Sequence, residues 1–277
     1  MINRSPLKLF KYPSLVINII ILMVILLVIF FAPIISPYEP LNIVSKPLES
    51  LNNDFLLGTD EVGRDIFTRL LYGGRPSLSI GFLSSLIAMI IGVPFGLLAG
   101  TSKGVIETII MRTMDGLLGF PSIILALAVL SIFPSNIFSV SVAISIPFIP
   151  RLVRIVRSEV LSIWEKEYVE AAIALGVSRF YLLFKVVLLN CISPILISFS
   201  LYFSLGILLE SQLGFLGFGI QPPYPSWGYM INRGMLYLRQ NPWYSISPGF
   251  AVFISALSLN RLGDILRDIL DPKQIKR

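Results

Sequence analysis

Apolar residues in this chain fall into long unbroken blocks instead of the short alternations of a soluble fold. Residues 15–35, 77–100, 116–133, 186–209 and 242–260 carry no charged side chain over 18 to 24 positions. About 20 such residues are needed for a helix to cross the hydrocarbon core, so each block predicts a membrane span. A sixth block, 137–150, is short; it reaches crossing length if Arg151 and Arg154 extend their charges to the interface. Pro147 and Pro150 are expected to bend it. The fold class is therefore an all-α polytopic membrane bundle of about six helices.

The polar segments divide the chain accordingly. Residues 1–36 form an N-terminal segment with the first span, 37–76 an extracytoplasmic loop, 77–262 a five-helix transmembrane domain, and 263–277 a tail. The basic start (Arg4, Lys8, Lys11) resembles a signal peptide, but the apolar run behind it is too long for one and no small-residue cleavage site follows. It is expected to be a retained span. Lys and Arg number three, two, six and five in the N-terminus, the second-span turn, the 151–185 segment and the tail; the alternate segments hold four, none and two. This sixteen-to-six bias predicts that both termini and the 151–185 segment are cytoplasmic.

Composition agrees: 55% of the 277 residues are hydrophobic, 14% are charged, and mean hydropathy is +0.82. Soluble domains carry about 25% charged residues. With no histidine and one cysteine, Cys191, the chain lacks the residues for histidine triads, imidazole metal sites and thiolate clusters. The net charge of +6 follows the topology and does not call for a nucleic-acid partner. The spans hold almost no ionisable residues, with Glu107, Asp115 and Glu210 placed at span ends, so the mid-membrane charges of ion-coupled transport are missing. A secondary transporter or channel is the competing class, and a membrane enzyme a distant third.

Three features within the spans stand out. Gly92, Gly96 and Gly100 recur every four residues on one helical face, a surface for close helix packing within the subunit or, secondarily, between subunits. Pro94 in the same span requires neighbours that satisfy the freed carbonyl. Ser193, Ser198, Ser200, Ser204 and Tyr202 in the fifth span either bond across helices or line a wet path.

The segment 151–190 is the most informative. Arg151, Arg154 and Arg157 carry the fourth span into the cytoplasm. Ser162 and Glu165 have capping-box spacing, which predicts a helix beginning at Ser162 and stopping at Gly176 in a left-handed conformation. Ser178 then caps a second helix over 179–190. An amphipathic helix lying on lipid is the plain alternative. Glu165, Glu167, Glu170 and the small Ala171, Ala172 and Ala174 suit a protein groove better.

Glu170-Ala171-Ala172-Ile173-Ala174-Leu175-Gly176 resembles the EAA motif of binding-protein-dependent ABC importer permeases. The resemblance implies a type I importer permease fold and a coupling helix, carried by Glu170, Ala171, Ala172 and Gly176, that sits in a cleft of an ATPase subunit. That family has a Leu-Pro pair about a dozen residues after the glycine; here the chain reads Leu188-Leu189-Asn190, with proline at Pro194. Three further stretches are similar to the C-type permeases of dipeptide, oligopeptide and nickel importers: Leu57 to Asp65 with Leu71 to Arg75, Leu213 to Gly228, and Leu259 to Asp268. The likeness covers nearly the whole chain.

Physically, Gly58, Thr59 and Asp60 make a turn, and residues 64–72 an amphipathic helix that Gly73-Gly74 should end. The Pro-rich 221–225 run forms a rigid outer loop, with Tyr224 and Trp227 at the lipid interface. These loops, through Gly58, Thr59, Asp60, Gly63, Arg64, Asp65, Gln221, Pro222, Trp227 and Gly228, are candidates to dock or gate against a ligand-delivering protein, or else simply plug the outer face.

The resemblance implies a non-catalytic permease subunit that binds no cofactor. The chain has no Gly-x-x-x-x-Gly-Lys-Ser/Thr loop, so ATP and Mg belong to partners. Those partners are a homologous second permease, two ABC ATPase subunits and an extracytoplasmic binding protein, assembled in a bacterial or archaeal inner membrane. Peptides are the implied cargo, with nickel or another metal chelate as the alternative.

Overall fold

A computed structural model of the chain describes residues 13–270; of the terminal basic residues, Arg4, Lys8, Lys11, Lys273, Lys276 and Arg277 lie outside this range. Among the described residues the regular structure is helical: α1 (Pro13–Phe30), α2 (Ala32–Ile35), α3 (Ile66–Thr101), α4 (Val105–Leu118), α5 (Ser122–Leu130), α6 (Ile137–Ser145), α7 (Phe148–Trp164), α8 (Glu167–Ala174), α9 (Arg179–Leu182), α10 (Leu188–Phe215), α11 (Trp227–Leu236) and α12 (Trp243–Leu270). A π-helical turn, Leu183–Val187, joins α9 to α10 and makes one rod of Phe180–Phe215.

That rod, α3 and α12 are each long and apolar enough to cross a membrane alone. Two bent pairs reach that length when each is taken as one broken span, α4 with α5 at 91° and α6 with α7 at 47°, which gives up to five crossings. Among the described residues α1 is apolar but shorter than a full crossing. Gly119 to Pro121 breaks the first pair, because proline disfavours helix at the residue before it and lacks an N–H. In the second pair the break falls at Ile146-Pro147.

The core is built where glycines let backbones approach. A Cβ on Gly92, Gly96 or Gly100 would come within 2.6 to 2.8 Å of Leu152, Val156 or Val160. The three glycines therefore form the α3 groove that takes the apolar face of α7, a packing surface within the subunit. On α10, the Ser200 hydroxyl donates to the Leu259 carbonyl at 2.6 Å and that of Ser204 to the Ala256 carbonyl at 2.9 Å. These hydroxyls bond across to α12. Tyr202 stacks on Phe148 at 4.9 Å.

Several expectations change. The helix expected over 64–72 does not stop at Gly73-Gly74; it continues as α3 through Pro76 to Thr101. Both glycines are close-approach points, Gly73 to the Pro225-Ser226 backbone and Gly74 to Ile29 and Trp227. The outer loop accordingly ends at Asp65, not at residue 76. The third crossing needs α4 as well, since the nine residues of α5 rise only about 14 Å; Glu107 and Asp115 are thus on a helix of the span. Ser162 caps nothing: α7 runs on to Trp164 because Val160 and Ile163 remain packed in the core, and α8 starts at Glu167. Glu210 is no end residue but is fully buried within α10. At the other end of the domain, α12 extends to Leu270, so the predicted tail begins inside a helix.

Candidate functional site

Two sites lie at opposite ends of the bundle. The first is the loop between α7 and α10. α8 begins with Glu167 and Glu170 in its first turn, where carboxylates complement the helix dipole. Val169 is its single buried residue and fixes it to the main core. Glu170 and Ala171 are exposed, and Ala172 is half-buried.

The helix stops in a Schellman motif. Gly176 N–H donates to the Ile173 carbonyl at 3.0 Å and Val177 N–H to that of Ala172 at 3.1 Å, with Gly176 at φ +81°. Nothing lies within 4 Å of where a Gly176 side chain would start. Ser178 then accepts from Tyr181 N–H at 3.3 Å, the cap that sequence predicts for the next helix. Tyr168, Leu175, Phe180 and Tyr181 are all exposed around this hinge, Leu175 by 84%. α8 is held at one point, and the hinge presents acids, small residues and large apolar groups outward. Where the family pattern has Leu-Pro, this chain has Leu188-Leu189 at the start of α10, directly after the π turn Leu183–Val187, and carries Pro194 inside α10.

The second site joins the segment before α3 to the 216–245 region. Gly58 (φ +78°) and Gly63 (φ +94°) turn the chain back on itself. Asp60 sits at the centre: one oxygen accepts from the Val62 and Arg64 N–H groups at 2.9 Å each, and the other accepts from Arg64 Nε at 2.7 Å with Arg69 Nε 3.3 Å away. Arg69, wholly buried, also donates to the Pro40 carbonyl at 2.8 Å. Thr59 Oγ1 donates to the Lys46 carbonyl, and Asp65 caps α3 by accepting from Thr68 N–H. Glu61 accepts from Arg233 at 3.0 Å and from the Tyr244 hydroxyl at 2.8 Å. Burial pushes the Glu61 carboxyl up, but these hydrogen bonds outweigh it and hold it below the ordinary carboxylate value.

Gly58, Thr59, Asp60, Gly63, Arg64 and Asp65 are all buried, as are Trp227 and Gly228. Trp227 is not at a lipid interface: its indole N–H donates to the Leu70 carbonyl at 3.0 Å and its backbone N–H to Ser77 Oγ at 3.1 Å. These residues lock the segment before α3 onto α3, α11 and α12 and offer no side chain for a docking protein to grip. Gln221, Pro222 and Tyr224 stay exposed, so of the docking candidates only the Pro-rich loop keeps an outward surface. The sequence reading missed Arg69 and Glu61; a charged residue one turn inside an apolar helix was the available signal for Arg69.

Residues 92–276 match the model of the family described as binding-protein-dependent transport system inner membrane component. The chain is 41% identical over 250 residues, covering 88% of it and 82% of the relative, to a di/tripeptide transport system permease protein, DppC, of Pseudomonas aeruginosa. It is 40% identical, at the same coverages, to a glutathione transport system permease protein, GsiD, of Pectobacterium atrosepticum. Among solved structures, the inward-facing MetNI methionine ABC transporter superposes with a TM-score of 0.61 at 17% identity, covering 74% of this chain and 98% of that one. That likeness concerns the fold. The chain is a member of the binding-protein-dependent transport-system inner-membrane components.

Proposed function

We propose that this chain is one permease subunit of an ATP-driven importer of di- and oligopeptides, and that α8 is the helix through which an ATPase subunit drives it. The observation that carries the reading is the α8 hinge: an eight-residue helix with one buried anchor, a glycine stop and a ring of exposed Tyr168, Leu175, Phe180 and Tyr181. A solvated loop has no reason to keep such large apolar groups in water, whereas a protein groove buries them. The names of the relatives support peptides as the cargo.

On this reading the α8 end is cytoplasmic, both termini are on that side, and the Asp60–Arg69 end faces outward. A second, homologous permease supplies the other half of the path, two ATPases hold ATP and Mg, and an extracytoplasmic binding protein delivers the peptide near the Pro-rich loop. The subunit performs no chemistry itself. Reconstitution in liposomes tests this: uptake of a radiolabelled tripeptide should require ATP, the binding protein, the ATPases and both permeases. Equal uptake without ATP, or without the second permease, would refute it. Orientation is tested separately by a Lys166→Cys substitution in a Cys191→Ala background, which should stay unlabelled when an impermeant thiol reagent is added outside intact cells.

A further inference from the structure

At one depth in the bundle the subunit has two different outsides. The α3–α7 register sets that depth: Gly92 faces Leu152, Gly96 faces Val156 and Gly100 faces Val160. Arg154 is therefore level with Pro94, seven residues or about 10 Å inside the last residue of α3, Thr101. At that level α3 exposes Ile90, Ile91, Phe95 and Leu98, a surface suited to lipid. α7 exposes Arg151, Arg154 and Ser158 instead, spaced three and four residues apart on one helical face.

Arg154 is not buried against the bundle for shelter. It pairs with Asp115 of α4 at 2.5 Å, yet the two side chains are 51% and 43% exposed. One turn along, Arg157 pairs with Glu107 of α4, and both are about a quarter exposed. Open ionised groups level with such an apolar face do not share its hydrocarbon surroundings; on helices of a membrane bundle they face its interior or a water-filled cavity. Each keeps free valence: the pair uses one Nη of Arg154, and a guanidinium has five N–H groups.

We propose that the Arg151–Arg154–Ser158 face of α7, with Asp115 of α4, lines the aqueous translocation path and holds a passing peptide by its charged termini. Asp115 takes the α-ammonium and Arg154, backed by Arg151, takes the carboxylate, the internal pair exchanging for two external ones. A site of this kind is weak, as a conducting path requires. The choice of a zwitterionic peptide rests on the peptide-import reading above; the placement of the face in water does not.

The assembled importer in liposomes, ATPase side outward, tests the two parts separately. In a Cys191→Ala background, Ser158→Cys should react with a cationic, impermeant methanethiosulfonate at least tenfold faster than Leu98→Cys at similar depth. Equal, slow reaction at both overturns the path, and reaction only in the isolated subunit assigns this face to the second permease instead. The double variant Arg154→Gln/Asp115→Asn removes both charges and keeps the side-chain shapes. Tripeptide uptake should fall at least fivefold while binding-protein-stimulated ATP hydrolysis stays within twofold; a purely structural pair would lower both together. Unchanged uptake overturns the ligand contact. A wild-type importer that takes up no peptide sinks the cargo and the terminus-binding role, while the cysteine rates still decide whether the face is wet.

Discussion

Replacing Gly176 isolates the conformational demand of the α8 hinge, because no steric clash accompanies it. Gly176 has φ +81° and open space around its Cα, so Gly176→Ala adds left-handed strain alone, about 1–2 kcal/mol. Alanine also lowers the entropy of the undocked loop, offsetting about 0.4–1 kcal/mol. The net is about 1 kcal/mol against the hinge conformation seen here, the one in which α8 is proposed to dock. With 1.4 kcal/mol per tenfold, ATPase affinity should weaken about fivefold. Valine should be worse, and asparagine, which tolerates this region, should bind close to wild type. Gly217 provides the matched control: it has φ +86° and open space, and it ends α10 in the same pair of backbone bonds, from Gly217 to Gly214 and from Phe218 to Leu213, at the opposite end of the bundle. Binding of the ATPase to the permease pair in nanodiscs, measured by fluorescence anisotropy, gives the comparison. If Gly217→Ala weakens the ATPase as much as Gly176→Ala, or Gly176→Val binds at full affinity, α8 is not the docking element.

Two further outcomes follow from the packing and the outer lock. A Cβ on Gly96 meets Val156 Cβ at 2.6 Å and the Val153 carbonyl at 3.0 Å, so Gly96→Ala should cost about 1–3 kcal/mol of overpacking against about 1 kcal/mol of helix propensity gained; Gly249→Ala, in open space, should show only the gain, and mixed-micelle unfolding midpoints should separate the two. Because the Glu61 carboxyl is held below its ordinary value, its contribution is complete above about pH 4.3 and is lost as pH falls through the folded-state value; hydrogen exchange of residues 57–65 should rise on acidification in the wild type and lose that pH dependence in Glu61→Gln.

Sequence carried the parts of this fold that depend on local chemistry. Apolar length alone located α1, α10 and α12, and the Glu-Ala-rich run closed by Gly176 located α8, because a Schellman stop is written in adjacent residues. What local pattern missed was decided across the bundle. Gly73 and Gly74 look like a helix end, yet they are the points where α3 meets Ser226 and Trp227. Glu107, Arg112 and Asp115 made α4 look like a polar loop; two of the three are balanced by arginines of α7 some forty to fifty residues away in sequence. The 58–65 motif looked like a surface turn, because Arg64 within it and Arg69 on α3 reveal their purpose only once Asp60 lies between them.

The central claim, that α8 seats in an ATP-hydrolysing partner, is tested most directly by a photo-crosslinking amino acid at position 175, the most exposed apolar residue of the hinge. Irradiation of membranes containing the whole importer should yield one major adduct, between this chain and the ATPase, absent when the probe stands at position 224 in the outer loop. Adducts from position 175 that contain only lipid or the binding protein would contradict the account.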